Sequence, residues 1–138
     1  MGGILDAAQF ILKCILVLWT SPNTLIGGIF GVLALATGGR VQYRRGCIEF
    51  SGGFVKWLLK RLPNGPIGAM TLGHVIIGLN RQCLSRARDH EHVHVKQYER
   101  WGPLFLPAYF GCSLYMRLLG KNPYLDNPFE VEAYSQFP

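Results

Sequence analysis

Two histidines four residues apart, with a glutamate directly after the first, stand in the segment His90-Glu91-His92-Val93-His94. On an α-helix this spacing stacks the imidazoles of His90 and His94 on one face, where both reach a single divalent ion about 2.1 Å from each ring nitrogen. Glu91 then projects beside that ion without having to ligate it. From there it can take a proton from metal-bound water and pass it to a leaving amine, which is metal-assisted hydrolysis.

These residues need a helix to hold them, and the flanking pattern supplies one. Leu84, Ala87, Glu91, His94, Tyr98 and Trp101 step by three and four and share one face, predicting a helix from Leu84 to Trp101 that stops at Gly102-Pro103. As a strand, the same segment would put His90, His92 and His94 on one face as a three-histidine site, but the long three-four stripe argues against it. On that stripe Glu91 is a charge on an otherwise apolar face and needs a partner, which a metal with its water would be. A catalytic zinc also wants a third protein ligand and an open position. Downstream, Asn127-Pro128-Phe129-Glu130 reads as an N-cap, a proline at the first helical position and an acid at the third, opening a short C-terminal helix. Glu130 on that helix is the first candidate for the third ligand and Glu132 the fallback, although Glu130 also suits a capping box. One turn beyond His94, Gln97 can orient a ligand by a hydrogen bond or simply face water. His74 sits in an apolar strand and reads as a core histidine, and Cys83 reads as structural. Tyr109, Tyr124 and Tyr134 are each able to donate a hydrogen bond to an oxyanion.

His90-Glu91-x-x-His94 followed by Glu130-x-x-Ala133 on a second helix resembles the gluzincin branch of the zinc metallopeptidases, over roughly residues 69 to 135. More narrowly, HEHVHVKQYERWGPLFLPAY with NPFEVEAY is similar to a small bacterial group of proteins with the same His-Glu-x-x-His core. The resemblance implies a zinc ion held by His90, His94 and Glu130, Glu91 as general base, a peptide or amide bond as substrate, and an edge strand before the motif helix. Tyr134 stands where gluzincins often carry aspartate.

The chain has 138 residues, enough for one ordinary domain, with nearly half of them apolar and only 16% charged. Its mean hydropathy of +0.19 is high for a soluble protein. The net charge is +6, yet no nucleic-acid motif or basic–aromatic platform accompanies it, so anionic lipid suits the composition better than nucleic acid. Cys14, Cys47, Cys83 and Cys112 are widely spaced with no CxxC pair, which fits inert thiols in a reducing compartment. Residues 4 to 39 form two apolar runs separated by Ser21-Pro22-Asn23-Thr24, predicting a helical hairpin that ends at Gly38-Gly39. A basic region typical of a signal peptide is missing between Met1 and Asp6. Arg40, Arg44 and Arg45 directly after the hairpin would keep that end on the cytoplasmic side.

VQYRRGCIEF reads as a hairpin around Arg45-Gly46, FVKWLLKRL as an amphipathic helix with Lys56, Lys60 and Arg61 on one side, and AMTLGHVIIGL as one interior strand. LFLPAYFGCSLYMRLL reads as a further apolar helix. The expectation is an α+β, minimal zincin-like protein. An apolar helical hairpin (1–39) would associate with a membrane, and a metal-binding domain (40–138) would wrap helices around a small antiparallel sheet. The alternative function is a zinc-stabilised structural or binding protein at a membrane, without catalysis; the alternative location is the cytoplasm.

Overall fold

A computed structural model describes residues 2–138. The N-terminal apolar segment is a single helix, α1 (Gly2–Ala36), and the expected hairpin is not formed. Pro22 lies inside it and cannot supply the amide that the Leu18 carbonyl would accept. Ser21 Oγ donates to that carbonyl at 2.7 Å and replaces the lost bond. Tertiary contacts clamp the helix on both sides of the proline. Thr20 Oγ1 lies 2.8 Å from His74 Nδ1, and Asn23 Nδ2 donates to the Gly102 carbonyl at 3.0 Å. Turn chemistry at Ser21-Pro22-Asn23-Thr24 is therefore overridden.

Four strands follow: β1 (Arg40–Arg44), β2 (Cys47–Ser51), β3 (Ala69–Leu72) and β4 (Val75–Gly78). The sheet order is β1-β2-β4-β3. β1 and β2 form the expected hairpin, with Arg45 and Gly46 at positive φ in its turn. The run expected as one strand is two, β3 and β4, joined through Gly73 at φ +65°. β4 pairs parallel to β2, so the sheet is mixed and not antiparallel as expected. All four β4 residues are buried, and apolar residues of that kind take the centre of a sheet, leaving β3 at the edge.

Alternation along the strands makes two cores. Phe50, Leu72, Val75 and Ile77 pack with Ala34 of α1 and with Val55 and Leu59 of α2 (Gly53–Leu59). On the other face, Cys47, Ala69 and Ile76 pack with Leu84 and Val95 of α3 (Arg81–Trp101). A one-residue shift of any strand would exchange these two sets. Small residues let α1 approach the sheet: a Cβ on Gly31 would stand 2.3 Å from the Phe50 ring, and one on Gly27 would stand 2.7 Å from Val75 Cβ.

After α3, a short 3-10 turn (Gly102–Leu104) leads into α4 (Phe105–Leu118), and α5 (Pro128–Gln136) closes the chain. Tyr98, Phe105 and Phe129 form a third cluster where α3, α4 and α5 meet. One ion pair is buried in the sheet–α3 layer. Glu49, with a fully buried side chain, takes two bonds from Arg88 at 2.8 and 3.0 Å and a third from Gln42 at 2.6 Å.

Candidate metal centre

α3 begins at an Asn80 cap whose side chain accepts from the Cys83 amide at 2.8 Å, and it runs unbroken through the motif. His90 and His94 therefore stand one turn apart, facing α5. Their Nε2 atoms are 3.3 Å apart, and each lies 3.3 Å from Glu130 Oε2. The three donor atoms thus form a nearly equilateral triangle. A tetrahedral ion with bonds of 2.0–2.1 Å requires its donors about 3.3–3.4 Å apart, and this triangle fits that requirement. The site is secluded, with side-chain exposures of 12% for His90, 7% for His94 and 4% for Glu130.

Glu130 is free of capping duty. Asn127 caps α5 by accepting from the Phe129 amide at 3.0 Å, and its own amide donates to the Tyr124 carbonyl. The Asn127 side-chain amide donates to the Tyr109 carbonyl at 3.0 Å and to Ser113 Oγ at 2.8 Å, pinning the start of α5 to α4. Tyr109 in turn donates to Glu130 Oε1 at 2.7 Å, which leaves Oε2 directed at the histidines. Burial opposes charge on Glu130. Hydrogen bonds from His90, His94 and Tyr109 nonetheless hold its carboxyl at about 2. Burial also disfavours a charged His94, but the bond to Glu130 and the charge of Glu91 raise it to about 9 in the metal-free protein.

The orientation of His94 follows from its neighbours. Gln97 Nε2 donates to the Phe129 carbonyl at 2.9 Å and to Glu132 at 2.8 Å, both pure acceptors. Its Oε1 must then face His94 Nδ1, 2.8 Å away, so Nδ1 carries a proton. The neutral ring consequently presents a bare Nε2 to the triangle, the tautomer a metal needs.

Glu91 is buried on the sheet side of the same turn, where Thr71 Oγ1 of β3 donates to its Oε2 at 2.6 Å. Burial raises its pKa, partly offset by His94, Thr71 and His90. A carboxylate raised in this way is a better proton acceptor near neutral pH. Tyr98 donates to the Thr71 carbonyl at 2.9 Å and ties α3 to the edge strand.

The candidate residues divide clearly. His90, His94 and Glu130 come together, Gln97 bonds His94, and Glu91 lies close enough to feel the charges of both histidines. Glu132 lies outside the triangle, bonded to Gln97 and to Arg100. His74 lies between α1 and α3, its Nε2 3.1 Å from Glu99. His92 faces away, its Nδ1 2.8 Å from the Arg88 carbonyl. Tyr109 is committed to Glu130, whereas the Tyr134 ring packs 4.4 Å from that of His90 and its hydroxyl lies 3.2 Å from that of Tyr124. Thr71 was missed by sequence reasoning. No local pattern marks it, because its partner lies across the sheet–helix interface. A cleft of about 410 Å³ lined by Arg45, His92, Lys96 and Arg100 lies nearby, and none of the three donors lines it. Each of its cations is already paired, with Asp89, Glu99 and Glu132 respectively.

No known protein family, no curated protein and no solved structure matches this chain.

Proposed function

We propose that the protein is a zinc-dependent hydrolase of the gluzincin kind, acting on peptide or amide bonds. The observation that carries this reading is the His90–His94–Glu130 triangle, whose 3.3 Å edges suit a tetrahedral ion. His90 and His94 through Nε2, and Glu130 through Oε2, would hold the zinc. When bound, such an ion lowers the pKa of a water toward 7 and polarises a carbonyl.

The chain's own residues supply the rest. Glu91 Oε2 is held by Thr71, leaving Oε1 to accept the water's proton and deliver it to the leaving amine. Gln97 fixes the His94 ring, and Tyr109 fixes the Glu130 carboxylate. The Tyr134 ring packs against that of His90, and its hydroxyl meets that of Tyr124, so neither hydroxyl is committed to a carboxylate. The low exposure of the three donors favours, as a second reading, a zinc centre that stabilises the α3–α5 junction without turnover.

Metal analysis beside a peptide-cleavage screen separates the readings. About one zinc per chain is expected in the wild type and in Glu91→Gln, and none in His94→Ala. Turnover should fall about 10²–10⁴-fold in Glu91→Gln. Zinc with no turnover in the wild type leaves the structural reading, and no zinc after reconstitution removes both.

A further inference from the structure

We propose that α1 lies in the plane of a membrane, as an interfacial anchor embedded in one leaflet rich in anionic lipid. Asp6, Gln9, Lys13, Thr20, Asn23, Gly27, Gly31 and Ala34 fall within a helical sector of about 100°. The last five are buried against the domain. The first three continue the same face, exposed, past the domain's edge. On the opposite face Ile4, Ile11, Ile15, Leu18, Leu25 and Ile29 are each more than half exposed. α1 is about 52 Å long, and this apolar stripe, from Ile4 to Ile29, runs along about 38 Å of it. A soluble protein does not leave so long a strip bare.

By length and apolar composition the helix is also able to cross a bilayer. Crossing, however, would carry Asp6, Gln9 and Lys13 into hydrocarbon. Lying flat keeps Asp6, Gln9, Lys13 and the domain-facing residues on the water side and submerges the apolar stripe. The flank of α1 points the same way. Phe30 of α1, Phe54 and Trp57 form a ladder of rings with centroids 6.0 and 5.7 Å apart, and the Arg61 guanidinium caps it 4.9 Å from Trp57. Lys56 and Lys60 are exposed beside it. Interfacial tryptophan with snorkelling cations is chemistry that selects anionic headgroups.

The test places single fluorescent labels along the full-length chain in a background where Cys14, Cys83 and Cys112 are alanine and the buried Cys47 is kept. Ile4→Cys, Ile11→Cys, Leu18→Cys, Leu25→Cys and Ile29→Cys should report one shared shallow depth in vesicles of phosphatidylcholine and phosphatidylglycerol. Labels at Gln9→Cys and Lys13→Cys should stay in water. A depth that grows steadily along the helix, with Gln9 and Lys13 immersed, would establish a spanning helix and overturn the proposal. Labels shielded equally without vesicles mean that a second copy covers the face, which overturns it as well, as does failure to bind vesicles. Reversing three charges together (Lys56→Glu, Lys60→Glu, Arg61→Glu) should weaken binding to these vesicles about a hundredfold and leave binding to pure phosphatidylcholine unchanged, with only a small fall in melting temperature from the lost Arg61–Trp57 contact. Equal weakening on both vesicles overturns the anionic-lipid assignment.

Discussion

Replacing Gln97 by leucine separates a residue that orients a metal ligand from one that merely fills space. Gln97 is fully buried, and its three hydrogen bonds reach His94 Nδ1 at 2.8 Å, the Phe129 carbonyl at 2.9 Å and Glu132 at 2.8 Å. Leucine keeps most of the volume and deletes all three. The Phe129 carbonyl is left buried without its donor, at about 1–3 kcal/mol of stability. Glu132 keeps Arg100 at 2.7 Å and a side-chain exposure of 35%, so its loss adds little. His94 loses the acceptor that sets its tautomer and ring angle. Free choice of tautomer alone halves the binding-competent fraction, a factor of about 2. Loss of ring orientation brings the fall in zinc affinity to about 10–100-fold, the usual range for a group that orients a ligating histidine. Competition against a chromophoric chelator measures that affinity, and thermal melting of the metal-free protein measures stability. Val95→Ala is the control, because it removes buried methyl groups from the same helix in a different cluster. If Gln97→Leu binds zinc as tightly as Val95→Ala does, Gln97 supports only the fold and the orientation argument fails.

Zinc affinity should depend on pH in a stated direction. With His94 raised to about 9 in the metal-free protein, a proton competes with zinc below that pH. Affinity should therefore climb by close to tenfold per unit from pH 7 to 9 and flatten above it. Equilibrium dialysis across that range checks this, and a flat response contradicts the His94–Glu130 pairing. Gly31→Leu drives a side chain into the Phe50 ring, already 2.3 Å from a bare Cβ, and should lower stability by about 1–3 kcal/mol or more in urea unfolding. Arg88→Met strands the buried Glu49 and should cost about 3–5 kcal/mol, whereas Arg88→Met with Glu49→Leu should recover most of it. A double variant no more stable than the single one would show that the pair is not what holds this layer.

How much of this was legible beforehand depends on how local each determinant is. His90, Glu91 and His94 were readable because helical geometry fixes the relation between i and i+4 without help from the rest of the chain. The cap at Asn127 and the hairpin turn at Arg45-Gly46 were readable for the same reason. Pro22 misled, because a proline between apolar runs normally marks a break. The bonds that hold the helix through it come partly from Ser21 and partly from His74 and Gly102, which are far away in the chain. Parallel pairing of β2 with β4 was hidden as well, since the order of strands in a sheet is set by which strand needs both neighbours and not by adjacency in sequence.

The sequence by itself determined the two histidines, their helix and the acid between them. Each depends on residues within a turn or two of one another, where backbone geometry leaves little freedom. Only the tertiary structure decided that Glu130, and not Glu132, turns toward the histidines, that Gln97 fixes His94, and that Thr71 holds Glu91. Those choices join α3 to α5 and to the sheet edge. They depend on Asn127 binding α4 and on Gln97 filling its bonds with Phe129 and Glu132, contacts between segments that meet only once both cores have packed.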